Sequence, residues 1–440
     1  MHKKIIFVVV ALFAVCVTQA QTPRRLTLQE AIDLGVTNSK QLMLSDSKVK
    51  EAQSKAAAAR DAIWPELSVS ATYLRINTPN ISLADNGGSS GGTSGSSPFA
   101  AFANLNSIGL AQVTLSESIF AGFKSRNSKL MTEYLQQAAQ YDAETAKSKI
   151  KLNTARAFYQ YYELLQTRNV VSENVKQERQ RVTEFKNLED QKLLARNDRL
   201  KAELLANNEE LTLTEVNNNV KLAEYNLTIL LGLPPETVLD VDTTGMFNVS
   251  NLSTWEEYLQ EGLQNRNELK AAQYQVKAGE SGYKIAKANQ FPTLALTAGY
   301  INAYIPNFIT ITNALNAGVS FKYNITGAIH TRHTAEEARS QYLQTEFSKQ
   351  LLMDQASVEI KKNYLKCQEA LEKLSISNRA IAQAQENFLI TQNKYDQGLV
   401  ILSDYLDADV LLLQARINYA TAKAERMIAY YELQESIGSL

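Results

Sequence analysis

The chain has 440 residues, of which 45% are hydrophobic and 21% charged, enough for two or three ordinary domains and too apolar for a disordered chain. Its formal charge of −1 gives no reason to expect nucleic acid or a polyanionic tail. The 18 glycines and 8 prolines are unevenly placed, with none in residues 123–231, a run of 109, and none in 329–397. Most α/β and all-β folds need such residues in their turns at short intervals and are excluded.

The chain opens with the plan of an export signal over residues 1–20. Lys3 and Lys4 precede an apolar run from Ile5 to Val17, and Thr18-Gln19-Ala20 ends in a small residue suited to cleavage. The alternative, a single uncleaved membrane helix, asks a short run to span a bilayer. A lipidated Cys16 is a further alternative, although Val15 is bulky where a small residue is wanted. Cleavage leaves Cys367 alone, so no disulfide forms within the chain. No later segment is apolar for the roughly 18 residues of a transmembrane helix, and any insertion must use strands.

The remainder is written twice. An offset of 227 carries Thr27 to Thr254, Glu30 to Glu257, Asn38 to Asn265, Pro65 to Pro292 and Tyr73 to Tyr300. An offset of 206 carries Arg126 to Arg332, Leu193 to Leu399, Asp198 to Asp404, Leu200 to Leu406 and Gly232 to Gly438. The first copy therefore holds an insertion, and the Gly/Ser-rich residues 85–97 are its natural place, a solvated loop. The first repeat covers 21–232, a linker opening at Pro234-Pro235 covers 233–253, and the second repeat covers 254–440.

Each copy reads helix, strand, strand, long helix, long helix. In the first, a helix is predicted from Thr27 to Ile63, with Thr27 and Glu30 spaced as a capping box and Pro65 as its stop. Leu67, Val69, Ala71 and Tyr73 then alternate with polar residues, the period of a strand with one apolar face. Strands are expected at about 66–75 and 108–118 and at about 293–303 and 316–325, with helical hairpins at about 123–231 and 329–437. The fold class is mainly α with a membrane β-barrel portion. Soluble hairpins packed face to face are the alternative. Four strands cannot close a barrel in lipid, so the barrel must be shared between chains, eight strands in a dimer or twelve in a trimer.

The hairpins carry coiled-coil seams. Leu164, Val171, Val175, Val182 and Phe185 mark the first outward arm, answered by Leu374, Ile381, Phe388 and Tyr395; Leu200, Leu204 and Leu211 mark the first return arm, and Leu406, Val410 and Ile417 the second. Helices this polar between seams suit staves of a hollow cylinder better than a bundle with one core.

With these elements in place the mature chain resembles the outer membrane efflux protein family, the TolC-type channel-tunnels. The resemblance is carried by the junctions at Pro65 and Pro292, by Ile119-Phe120-Ala121-Gly122 and Ile325-Thr326-Gly327 before the long helices, and by the tip from Tyr395 to Ala408. It implies a homotrimer whose twelve-stranded barrel in the outer membrane, set among outer-membrane lipid, continues into a twelve-helix-type periplasmic α-barrel. It further implies a passive exit duct, not an enzyme, working with a periplasmic adaptor protein and an inner-membrane pump. A periplasmic coiled-coil adaptor or structural protein that forms no channel is the competing class.

Three tip features bear on this. Leu193, Leu194, Leu399, Val400, Ile401 and Leu402 lie at the hairpin ends, as an adaptor-docking surface or as side chains closing the tip on themselves. Asp404 and Asp407 share one face of the return helix and in a trimer would form carboxylate rings at the pore-entrance constriction; favourable helix-start electrostatics are the other reading. The first copy has Lys201 opposite Asp407. Their positions match the aspartate pair of the family's best-known member, which has an arginine where this chain has Val400 but shares Tyr395. Tyr395 and Gly398 are accordingly expected at the gating tip. His330 and His333 read as solvent-facing residues and Cys367 as an inert thiol; no metal, cofactor or catalytic constellation is predicted.

Overall fold

The computed structural model describes residues 24–75, 77, 107–244, 246–247, 252–306 and 309–440. The signal segment and the Gly/Ser-rich insertion lie outside the described residues. The elements in order are β1 (Arg24–Leu26), α1 (Leu28–Thr37), α2 (Lys40–Asp61), β2 (Glu66–Arg75), β3 (Ser107–Phe120), α3 (Lys124–Asp190), α4 (Arg196–Leu230), β4 (Leu239–Val241), α5 (Trp255–Asn265), α6 (Asn267–Ala288), β5 (Thr293–Ile305), β6 (Ile309–Lys322), α7 (Ile325–Asp396) and α8 (Leu402–Ser436).

Two of the predicted element boundaries need correction. The helix expected from Thr27 to Ile63 is two helices, broken at Asn38-Ser39. Asn38 Nδ2 turns away to donate to the Leu231 carbonyl at 2.7 Å, and the Ser39 hydroxyl restarts the helix by accepting from the Leu42 amide at 3.2 Å. The Thr27 hydroxyl does accept from the Glu30 amide at 3.2 Å, while the reciprocal box is formed by Thr254 and Glu257 in the second copy. The strand expected at 316–325 instead occupies Ile309–Lys322. Its partner β5 starts at Thr293, paired with Lys322, so later residues have no strand to pair with and Ile325 opens a helix. At the other end residues 309–315, where Ile309 and Ile311 alternate with Thr310 and Thr312, are held by pairing with β5.

The four long strands form one antiparallel sheet in the order β2-β3-β5-β6. Register places Val69, Val113, Tyr300 and Leu315 across one face, with Leu67, Leu115, Ala298 and Ala317 in the next row. That face is apolar yet uncovered: Val69 is 76% exposed and Leu315 82%. Ser68, Thr114, Gly299 and Asn316 lie on the opposite face, one residue along each strand. Strands β2 and β6 are the sheet's edges.

The contacts divide the chain into two units, and the sheet belongs to the one made of Lys48–Gln140 and Ala271–Lys349. The other comprises the chain up to Ser47, Tyr141–Lys270 and Gln350–Leu440. There β1 and β4 pair in parallel, and Phe158, Tyr159 and Tyr161 are buried beside Leu227 and Leu231. The Tyr159 hydroxyl donates to the Met246 carbonyl at 2.8 Å and Tyr161 to the Leu239 carbonyl at 3.1 Å, so each buried ring has its polar end satisfied. Helices α4 and α8 have 35 residues each, but α8 carries 16 buried residues and α4 five. In this unit α8 is thus an inner helix and α4 a flank. Leu200, Leu204 and Leu211, read from the sequence as a packed seam, are exposed on α4. Leu351, Val358 and Leu365, spaced by seven on α7, are exposed as well.

Candidate channel tip

The end of each helical hairpin begins with a left-handed residue that stops the outward helix. Gly398 has φ +72°, its amide donates to the Tyr395 carbonyl at 2.9 Å, and the Leu399 amide reaches back to the Lys394 carbonyl at 2.8 Å. This double closure is the usual use of glycine after a helix. Lys192, its counterpart at the 206 offset, takes φ +64° with the same two bonds, to Glu189 and Leu188, both 2.8 Å. The backbone turn is therefore common to both copies, and helix termination accounts for the glycine.

The return helices start at Ala195 and Ile401, which cap without a side-chain bond. Asp404 sits in the first turn of α8, where unpaired amides favour a carboxylate. Asp404 and Asp407 are both exposed on one side of that helix, and among the described residues neither has an ion pair. In the first copy Lys201 lies 3.7 Å from Asp198 and neutralises it.

The six apolar tip residues do not form one exposed surface. Leu193, Leu399 and Ile401 are exposed, Val400 is half-buried, and Leu402 is buried with Phe185, Ala202, Tyr405 and Leu406. Leu194 packs against the same cluster. Leu402 is thus not exposed for docking, and Leu194 and Val400 are only partly so. A run of four consecutive apolar residues must divide between faces once a helix starts within it, and Leu402 is the first residue of α8.

Tyr395 belongs to this cluster. Its ring stacks on Tyr405 at 5.2 Å and 13°, Phe388 also stacks on Tyr405 at 5.6 Å, and Phe185 lies 6.3 Å from Tyr395. Burial pushes both phenols upward, so they remain neutral. The first-copy counterparts of Tyr395 and Tyr405 are Glu189 and Arg199, and these also meet across the turn, as an ion pair that Glu203 extends at 2.5 Å. One hairpin end is tied by charge and the other by aromatic stacking. Sequence reading missed this exchange, although comparing the copies across the turn at the 206 offset contains it.

His330 and His333 are exposed, and no group of three or more metal-ligating side chains occurs among the described residues. Cys367 is buried and burial pushes its thiol upward, away from the reactive thiolate. No described helix is long and apolar enough to cross a membrane.

A duplicated strand pair and helical hairpin, with an uncovered apolar sheet face, is the protomer fold of the outer-membrane channels. The outer membrane protein VceC of Vibrio cholerae superposes with a TM-score of 0.78 at 18% identity, covering 93% of this chain and 96% of that one. The CmeC outer membrane channel of Campylobacter jejuni gives 0.76 at 16% identity, with 94% and 85% covered. The MtrE outer membrane channel of Neisseria gonorrhoeae, in its open state, gives 0.75 at 16%, with 93% and 88% covered. Residues 258–439 match the family model described as outer membrane efflux protein. The second half of the chain carries that family's sequence pattern, and the described chain as a whole has its fold.

Proposed function

We propose that this chain is a passive outer-membrane exit duct of a tripartite efflux or type I secretion system, receiving substrates from an inner-membrane pump through a periplasmic adaptor. The observation that carries the reading is the four-stranded sheet with an apolar exposed face and two free edges. Unpaired strand edges in lipid leave backbone groups unsatisfied at several kcal/mol each, so β2 of one copy must meet β6 of another. Three copies give twelve strands. The exposed rows Leu200, Leu204, Leu211 on α4 and Leu351, Val358, Leu365 on α7 supply matching apolar seams for the same assembly.

In such a trimer, with its helices in the periplasm, Asp404 and Asp407 form two carboxylate rings at the constriction, and Leu193, Leu399 and Ile401 offer apolar contacts to the adaptor. Tyr395, through its stack on Tyr405, sets the position of the helix bearing the aspartates. The test has two parts. Mass measurement of the detergent-solubilised chain returns three copies; a monomer defeats the duct reading and favours the coiled-coil adaptor. In planar bilayers divalent cations block the wild-type channel, and the D404A/D407A double variant loses that block; unchanged block refutes the ring assignment alone.

A further inference from the structure

In the unit that contains α8, the apolar seam between α3 and α8 is interrupted by charge. Glu178 and Arg181 on α3 and Asp409 on α8 are 1%, 7% and 3% exposed. A single guanidinium nitrogen, Arg181 Nη1, donates to Glu178 Oε1 at 2.6 Å and to Asp409 Oδ2 at 3.0 Å. Glu178 Oε2 is buried with no hydrogen-bond partner, and so is Glu209 Oε2 on α4. The groups facing Glu178 are thus Arg181 on its own helix, Asp409 and Tyr405 from α8, and Glu209 from α4 through its field on Asp409. From α7, Tyr395 and the uncharged Phe388 reach the cluster through their stacks on Tyr405.

Two buried carboxyls, Glu178 and Asp409, share one cation, with the partly buried Glu209 adding its field at Asp409, and keeping every carboxylate ionised in so enclosed a site is costly. The Arg181 guanidinium also lies 4.5 Å over the Tyr405 ring, which supports the Tyr395 stack at the hairpin end. We propose that Glu178 is a proton-operated latch: protonated, it leaves Arg181 to pair with Asp409 and hold Tyr405 in place; ionised, it repels Asp409, draws Arg181 away and frees the start of α8.

The electrostatics agree in direction. Burial, then the contact with Asp409, pushes the Glu178 carboxyl up to about 8 against the pull of Arg181. Burial, then Asp409, also raises Glu209. A carboxyl raised in the folded state contributes stability that is complete below the ordinary glutamate range and is lost as pH climbs through about 8. The latch is therefore closed in mild acid and open in mild alkali. This inference concerns the protomer's own helices and does not require the duct reading.

The experiment uses the full chain in detergent. Hydrogen exchange of residues 395–410, corrected for intrinsic rates, is followed from pH 6 to pH 9 in the wild type, E178Q and D409N. One linked proton changes an opening equilibrium by up to about tenfold per pH unit. We expect wild-type protection to fall by up to about a hundredfold between pH 6 and pH 8 and to level off above. E178Q, which fixes the protonated form, stays flat, and so does D409N, which leaves Glu178 and Arg181 as a one-to-one pair. Infrared difference spectra of the wild type show a protonated carboxyl band lost between pH 6 and pH 9 and missing in E178Q. Flat wild-type exchange, a slope that survives in either variant, or a wild-type spectrum without that band overturns the latch.

Discussion

The two repeats meet their long helices at glycines, and Gly262 offers the sharpest test of the packing. A Cβ added there would stand 2.4 Å from Ile360 Cδ1 and 3.4 Å from Ile437 Cα. Ile360 is 0% exposed and Ile437 2%, so the methyl has no solvent to turn into. Overpacking of this kind costs roughly 1–3 kcal/mol, while alanine gains about 1 kcal/mol over glycine in helix propensity. Gly262→Ala should therefore destabilise by up to about 2 kcal/mol. Ile360→Val removes the clashing methyl and alone should cost about 1 kcal/mol. In the double variant that cost should vanish, giving a favourable coupling of about 1–2 kcal/mol. Trp255 packs against the same cluster and reports on it, once the exposed Trp64 is replaced by Phe. Urea titration of the detergent-solubilised chain, read by Trp255 fluorescence, yields the four stabilities. Strict additivity would falsify the close-contact account, as would stabilisation by Gly262→Ala of the full propensity gain.

Lys192 holds a left-handed conformation that costs a side-chain-bearing residue roughly 1–2 kcal/mol, against which the freer unfolded chain of a glycine offsets part. Lys192→Gly should thus raise the first tip's resistance to limited proteolysis, and Gly398→Ala should lower the second's; equal resistance in both would contradict the cap assignment. Glu432 accepts from Arg156 at 2.8 Å and Lys366 at 2.6 Å; burial pushes its carboxyl up, but these two bonds outweigh it and leave it below the ordinary range. A lowered carboxyl contributes stability above its unfolded value of about 4.5 that is lost as pH falls through the folded value. Glu432→Gln should accordingly flatten the acid limb of the stability profile, and an unchanged limb would assign acid sensitivity elsewhere.

Much of the fold was legible because its signals are periodic. The two-residue alternation after Pro65 and Pro292 is strand, and long runs without glycine or proline are helix, since each pattern has one geometry that buries its apolar side. The break at Asn38 was not legible: it depends on a side-chain bond to Leu231, 193 positions away, which no local propensity registers. At the tip, the shared face of Asp404 and Asp407 follows from spacing alone. The burial of Leu402 does not, because an unbroken apolar run has no period to say which member turns inward. The enclosure of Glu178, Arg181 and Asp409 is set by the packing of α3 against α8, which no local pattern announces.

The short parallel pair between Arg24–Leu26 and Leu239–Val241 has a consequence for the order in which the chain is made. Arg24 has its partner in Leu239, so the first described strand stays unpaired until the whole first repeat has been delivered. Leu239 is in turn held by the Glu224 carboxylate at 2.8 Å and by the Tyr161 hydroxyl at 3.1 Å, both from that repeat's hairpin. Contacts of such long sequence separation form late and slowly. The pair thus acts as a completion mark, tying the start of the first repeat to the linker that follows it only after everything between them exists.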